Sequence, residues 1–347
     1  MEGFEVDQGT TDFTRKYAVA ANSGTWNFIA GPKVGSAMQG GSNADAELRT
    51  KALVGSVQNT WIVGWRVRGA TAATALSGDR AGGVTLFSGS SSQVEVRAHF
   101  EGSAVTWRVY RGSTLLGESP SFWDSDWSYW EFKILARTST NGSVQIRKDG
   151  VVWYTLSGVN TANSGSDGAD RVRFLFQFGN QGSFDDIYIC DGSGAANNDY
   201  LSGDVVVFGA SPSGDGNRVQ WTPSRAGTHF DLVNDAPNAS SDTTKVKSQT
   251  PGQDDLYDYQ NLSLVSSGQP IYGVQLGTVG GMETSGNRTL KPLVRDTGGS
   301  EAYGTSWNWS DTSPHHEPTI FETNPVTSVV WSKTSIDAAQ FGIDLFS

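Results

Sequence analysis

The stretch Arg171-Val-Arg-Phe-Leu-Phe-Gln-Phe-Gly179 places Val172, Phe174, Phe176 and Phe178 at every second position, with Arg171, Arg173 and Gln177 between them. A period of two puts the apolar side chains on one face of a strand and the polar ones on the other, the pattern of a sheet with one face buried. The next run, Ser183-Phe-Asp-Asp-Ile-Tyr-Ile-Cys-Asp-Gly192, repeats it, Asp185, Ile187 and Ile189 against Phe184, Asp186 and Tyr188. It gives way to Gly192-Ser-Gly-Ala-Ala-Asn-Asn198, a composition that cannot continue a ladder. A domain is expected to end there.

The same reading places further strands near 25–29, 47–52, 61–67, 83–87, 94–100, 106–110, 130–136, 144–147 and 151–156. In Val94-Glu-Val-Arg-Ala-His-Phe100 the apolar set Val94, Val96, Ala98 and Phe100 turns inward and Glu95, Arg97 and His99 turn out. Lys148-Asp149-Gly150 supplies a hairpin turn between two such runs. After residue 198 a second set opens with Asp204-Val-Val-Val-Phe208 and continues near 219–223, 232–235, 244–246, 271–279, 288–295, 303–309, 320–323 and 341–345. One short helical turn is expected at 336–340, capped by Thr334 or Ser335, with Asp337 near its positive end.

A chain of 347 residues exceeds one usual core, and the expected division is 1–195 and 196–347. With 42 Gly, 12 Trp, 16 Phe and 10 Tyr the chain is expected to be nearly all β, because helix interiors disfavour Gly. No fixed-period repeat marks a propeller or solenoid. No apolar run approaches the ~20 residues that span a bilayer, and Met1 leads into Glu2-Gly-Phe-Glu-Val6 without a basic start or apolar stretch for export. The expected protein is soluble, without an export signal or membrane insertion. A formal net charge of -11 argues against a phosphate-binding surface, so no nucleic-acid partner is expected. The single cysteine, Cys190, rules out an internal disulfide and reads as a small buried hydrophobe.

Gly3-Phe-Glu5, Trp130-Glu-Phe-Lys-Ile134, the Val144-Gln-Ile-Arg-Lys-Asp-Gly150 hairpin and Phe184-Asp-Asp-Ile-Tyr-Ile189, in this order, resemble the concanavalin A-like jelly roll of laminin G-type domains. The remainder, from Asn198-Asp-Tyr-Leu-Ser-Gly-Asp-Val205 through Gln220-Trp-Thr-Pro223, His229-Phe-Asp-Leu-Val233, Ile271-Tyr-Gly-Val-Gln275 and Ala339-Gln-Phe-Gly-Ile343, resembles structural proteins of tailed bacteriophages and prophages. The resemblance implies two tandem antiparallel β-sandwiches, the first a concanavalin A-like jelly roll, and a virion component.

Hydrolysis of a glycoside needs carboxylates flanking the scissile bond. Glycosidases on this jelly roll carry Glu-x-Asp-x-Glu; here Glu5-Val-Asp7-Gln-Gly9 has Gly9 in the last place. No catalytic residue is assigned and no enzymatic activity is expected. Asp124 and Asp126, Asp185 and Asp186, and Asp254, Asp255 and Asp258 are the candidate calcium clusters, Asp124 and Asp126 foremost, set against turn capping by the same side chains. His315-His316-Glu317, between Pro314 and Pro318, reads as an extended loop without metalloprotease spacing. His99 and His229 have no identifiable nucleophile partner. Aromatic faces stack on sugars and also fill cores and subunit interfaces. Trp130, Phe132 and Ile134 share a core face, which leaves Trp123, Trp127, Trp307 and Trp309 as the candidates for glycan or interface contact.

The expectation is a non-enzymatic building block on the outside of a tailed-phage virion, made in the host cytoplasm, that docks on other virion proteins as a homo-oligomer, a trimer foremost. A tail or fibre adhesion appendage contacting host-surface glycan is preferred. A capsid decoration protein and the carbohydrate-binding module of a secreted bacterial protein are the alternatives.

Overall fold

The computed structural model describes residues 17–21, 27–33, 36–39, 47–50, 53, 57–69, 77–101, 104–122, 126–176, 182–201, 203–234 and 243–347. The chain is all-β and divides after Val207 into two compact units. The first contains β1 (Tyr17–Ala21), β2 (Asn27–Ala30), β3 (Ser36–Gln39), β4 (Glu47–Thr50), β5 (Thr60–Arg68), β6 (Ser77–Ser88) and β7 (Ser91–Glu101). It continues with β8 (Ala104–Arg111), β9 (Thr114–Glu118), β10 (Trp127–Leu135), β11 (Gly142–Lys148), β12 (Val151–Val159), β13 (Arg171–Phe176) and β14 (Ser183–Asp191). These form two seven-stranded antiparallel sheets: sheet I in the order β1-β4-β13-β6-β7-β8-β9, and sheet II in the order β12-β11-β10-β5-β14-β3-β2.

The period-two rows fill the space between the sheets. Sheet I contributes Val84, Leu86, Val94, Val96, Ala98, Phe100, Trp107, Val109, Val172 and Phe174; sheet II contributes Trp61, Val63, Trp65, Trp130, Phe132, Ile134, Val144 and Ile146, all buried. Trp107 from β8 meets Trp130 and Phe132 of β10 edge-on at 5.4 and 5.0 Å between ring centres, and Trp65 of β5 stacks on Phe132 at 4.5 Å. Offset and edge contacts between rings add to plain area burial, so this aromatic block holds the two sheets together.

The alternation breaks in β14, in a way that matters for the outer face of sheet II. Asp185 pairs with Arg66 and Tyr188 with Gly64, so one extra residue sits on β14 between them. Asp186 has φ 53°, a left-handed conformation that Asp tolerates better than most side chains. This is a β-bulge, and it shifts the phase of everything after it. Sequence alternation sets Asp185 opposite Asp186; in the structure both carboxylates and Tyr188 lie on the outer side of sheet II.

The second unit contains β15 (Pro212–Val219), β16 (Thr222–Pro223), β17 (Val246–Lys247), β18 (Gln253–Tyr259), β19 (Val274–Gly280), β20 (Arg288–Arg295), β21 (Glu301–Tyr303), β22 (Trp307–Trp309), β23 (His315–Phe321), helix α1 (Lys333–Asp337) and β24 (Gln340–Leu345). A six-stranded sheet runs β15-β18-β24-β20-β21, with β22 also on β20. The ribbon β19-β23 packs against it through Leu276, Phe321, Val294, Phe341 and Trp331, which makes a smaller sandwich. α1 starts before the expected turn. Ser332 Oγ accepts the Ser335 amide and Ser335 Oγ accepts the Ser332 amide, a reciprocal cap that fixes the start and leaves Asp337 at the C-terminal end. Two expected strands are corrected: 232–235 overlaps a 3-10 turn at Phe230–Leu232, and 204–208 joins no ladder.

Candidate functional site

The first unit carries polar side chains on the outer faces of both sheets. On sheet II the register brings Arg66 beside Tyr129 and Asp185, and Gly64 beside Glu131 and Tyr188. Gly64 is required here, because a Cβ at that position would lie 2.2 Å from the Tyr188 ring. With the ring laid over Gly64, the Tyr188 hydroxyl donates to Glu131 Oε1 at 2.6 Å. Arg66 Nε donates to Asp186 Oδ2 at 2.9 Å, and its guanidinium lies 5.2 Å from the centre of the Tyr129 ring.

Residues 199–201 and 203–207 cross this face. Tyr188 Oη accepts the Leu201 amide at 3.4 Å, the Gly203 amide faces the Glu131 carboxylate, Arg66 Nη2 donates to the Val205 carbonyl at 3.2 Å, and Asp186 Oδ1 accepts the Val207 amide at 2.8 Å. Every second residue is thus held by its backbone, and Leu201 and Val205 are buried. Lys133 pairs with Asp199 at 3.0 Å and the Arg147 guanidinium stacks 3.7 Å from the centre of the Tyr200 ring.

Burial pushes the Glu131 carboxyl above its ordinary range, against the opposing hydrogen bond from Tyr188. A carboxyl raised by folding contributes more stability in its protonated form, so the protein gains from this group as pH falls through the folded pKa. Glu131→Gln, which keeps an acceptor for Tyr188, is expected to raise the urea midpoint at pH 7. The difference should shrink as pH falls toward 4, and a lower midpoint at pH 7 would contradict the argument.

At one end of this face a cleft of about 490 Å3 is lined by Pro32, Lys33, Arg66, Trp127, Asp149 and Asp204. Asp204 bridges its two cations: Oδ1 lies 2.5 Å from Arg66 Nη2 and Oδ2 lies 3.0 Å from Lys33 Nζ. Asp149 accepts the Tyr129 amide at 2.8 Å, and the Arg68 guanidinium lies 5.3 Å from the centre of the Trp127 ring.

The outer face of sheet I carries two transverse rows. Cross-strand register aligns Arg49, Arg173, Thr85, Glu95 and Tyr110 from β4, β13, β6, β7 and β8. The adjacent row runs Glu47, Leu175, Gly83, Arg97, Arg108 and Glu118. With strands ~4.8 Å apart, five of them span roughly 20 Å. Arg173 contacts Glu95 at 3.0 Å and Arg97 contacts Glu95 at 2.6 Å, while the Arg49 and Arg173 guanidinium groups flank the Phe87 ring at 5.0 and 5.2 Å. Arg108 lies 3.0 Å from His99 Nδ1 and 3.0 Å from Glu118, and Arg97 lies 5.4 Å from the centre of the Tyr110 ring. Hydrogen bonds from Thr106 and Arg108 hold the Glu118 carboxyl below its ordinary range. Alternation had shown Glu95, Arg97 and His99 facing out, but Arg49, Arg108 and Arg173 join them only through long-range register.

Trp127 is half-buried in the cleft wall, and Asp126 beside it is exposed; Trp123 and Asp124 lie outside the described residues, as do Glu5, Asp7 and Gly9. Trp309 is 5% exposed, packs with Leu290 and Leu345 and stacks on His315 at 5.0 Å, so it offers no open face; Trp307 is half-buried beside it. Among the described residues the carboxylate clusters are not assembled as a cation cage. Asp186 serves Arg66, Asp254 lies 2.7 Å from Arg218, Asp255 accepts the Gln220 and Trp221 amides and contacts His229 at 2.7 Å, and Asp258 accepts from Gln340. Among the described residues no group of three or more His, Cys, Asp or Glu side chains is placed to hold a metal ion. Two readings are corrected: His315, His316 and Glu317 belong to β23 rather than a loop, and Cys190 is half-buried rather than buried.

No known family model matches the chain, and no curated protein matches it. Among solved structures it is similar to an endo-β-1,4-glucuronan lyase from the fungus Trichoderma reesei, at 11% identity and TM-score 0.35 over 50% of this chain and 90% of that one. It is also similar to the carbohydrate esterase vb_24B_21 of the Shiga toxin-encoding bacteriophage phi24B, at 11% and 0.40 over 54% and 94%. A third is the catalytic domain of a glycoside hydrolase family 131 protein from Coprinopsis cinerea, at 14% and 0.34 over 55% and 92%. Likenesses this distant give this chain no activity. The expectation that it has none is withdrawn all the same: the similar solved structures include a lyase and a glycoside hydrolase catalytic domain, and a missing Glu-x-Asp-x-Glu pattern does not exclude carbohydrate processing by other residues.

Proposed function

We propose that the first unit holds an extended acidic polysaccharide across the strands of sheet I, its carboxylates taken by Arg49, Arg97, Arg108 and Arg173. The observation that supports this is the pair of transverse rows, which gathers arginines on one face of a chain whose net charge is -11. A guanidinium has five donors in a planar fork, a geometry that matches a ligand carboxylate. A second reading, favoured by His99 beside Arg108 and Tyr110 beside Arg97, is turnover of the bound polymer on the same face. An arginine on a uronate carboxylate acidifies the adjacent C–H. A base then takes that proton, its electron pair forms a C=C bond, and the glycosidic oxygen leaves and is protonated.

Calorimetry with uronate-bearing and neutral polysaccharides tests the reading. The acidic polymer alone should bind, more weakly as salt rises. Arg97→Gln and Arg108→Gln should each weaken it about tenfold, the size of one charge-assisted hydrogen bond. Equal binding of neutral polymer would sink the proposal, and ultraviolet absorbance from a new double bond separates turnover from binding.

The phage resemblance supports a place on the exterior of a tailed-phage particle, in an adhesion appendage that assembles with copies of itself and other virion proteins and meets host-surface glycan. Antibody labelling of intact particles tests that placement, with a head-surface signal favouring decoration instead.

A further inference from the structure

We infer that the Trp127 cleft is a second carbohydrate subsite, for a sugar acid, and that Asp204 occupies it in the free protein as a stand-in for the ligand's carboxylate. The inference rests on reading the first unit as a carbohydrate-binding sandwich. It concerns the other sheet from the arginine rows.

The cleft is built around a rigid cation. The Arg66 side chain is 5% exposed and is fixed by Asp186 at 2.9 Å and by the Tyr129 ring beneath it. Lys33, 45% exposed, stands opposite, and the two cations grip the two oxygens of one carboxylate at 2.5 and 3.0 Å. That carboxylate is the movable partner. Asp204 is 54% exposed and sits on a segment outside any sheet ladder, so its side chain can rotate into solvent without breaking a strand pair. Burial alone would raise the Asp204 carboxyl, but hydrogen bonds from Lys33 and Arg66 hold it below its ordinary range, so it stays charged and competes at neutral pH.

The rest of the wall identifies the kind of carboxylate that fits. Trp127 contributes an aromatic ring and Asp149 a carboxylate on a fixed turn. A pyranose needs an apolar surface for its C–H face and acceptors for its hydroxyls, which a simple carboxylate does not. About 490 Å3 lies within the range of small-ligand pockets, enough for a monosaccharide.

The test is titration of the full chain with glucuronic acid, followed by Trp fluorescence and by NMR of the sugar, with glucose and acetate in parallel. Asp204→Ala should bind glucuronic acid about five- to tenfold more tightly than the wild type, as expected for removing a half-exposed internal competitor. Lys33→Ala combined with Asp204→Ala should lose that gain, and Trp127→Ala combined with Asp204→Ala should retain folding but lose the sugar. Equal affinity of wild type and Asp204→Ala overturns the stand-in. Acetate binding as well as glucuronic acid overturns the sugar site. Absence of binding in every variant overturns both, and Arg97→Gln in the same titration separates the sites, since it should leave this cleft unchanged.

Discussion

Trp107→Ala is expected to lower the unfolding free energy by about 3–5 kcal/mol, the range for deleting a large buried aromatic. Trp107 is fully buried and touches rings from several strands: Phe122, Trp130 and Phe132 at 5.0 to 5.6 Å and Trp65 at 6.5 Å. It stands on sheet I while Trp65, Trp130 and Phe132 stand on sheet II, so its loss opens a cavity between the sheets. The surrounding rings already pack against one another, which limits how far they can collapse into that space. Urea unfolding followed by Trp fluorescence measures the change. A loss below about 1 kcal/mol would mean that the sheets close over the gap, and that the aromatic block is not what joins them.

Arg66→Met should also cost about 3–5 kcal/mol, for a different reason. It leaves Asp186 buried without its cation, and an unpaired buried charge is penalised more than the intact pair is rewarded. Burial already pushes the Asp186 carboxyl above its ordinary range, in spite of the Val207 amide and Arg66. Sign follows from that direction. The Arg66→Met protein should recover stability as pH falls and Asp186 takes up a proton. Asp186→Asn on the same background keeps the Oδ1 acceptor for Val207 and tolerates the left-handed backbone, so the double variant should regain most of the loss at pH 7. A double variant no more stable than Arg66→Met would place the damage in packing rather than charge.

The layers were legible from alternation where strands such as β8 and β11 bury one face and obey period two, whereas β5 and β10 are buried on both faces. Alternation failed in β14 because backbone geometry, and not side-chain type, decided the outcome. Nothing in Phe184-Asp-Asp-Ile-Tyr188 announces an extra residue, yet the bulge at Asp186 places two carboxylates where the pattern allows one. β18 was missed because Asp254, Asp255 and Asp258 lower strand propensity; Arg218, His229 and Gln340 provide partners that make those acids tolerable in a sheet. The Val-Val-Val-Phe run after Asp204 mimics a buried strand, but its Val205 carbonyl and Val207 amide bond Arg66 and Asp186 side chains of sheet II instead of a neighbouring strand. The arginine rows needed register as well as pattern, since Arg49 and Arg173 meet only through the pairing of β4 with β13.

That side-chain anchoring of 201–207 also fixes where the first unit can be cut. A fragment ending at residue 195, the boundary suggested by composition, strips backbone partners from Tyr188, Glu131, Arg66 and Asp186 together and uncovers a charged, half-dry surface. A fragment ending at Val207 retains all four. The anchors hold main-chain atoms at every second position, with Leu201 and Val205 buried and Val206, 41% exposed, outside, so only outward positions of this tether are free to drift while its length is not.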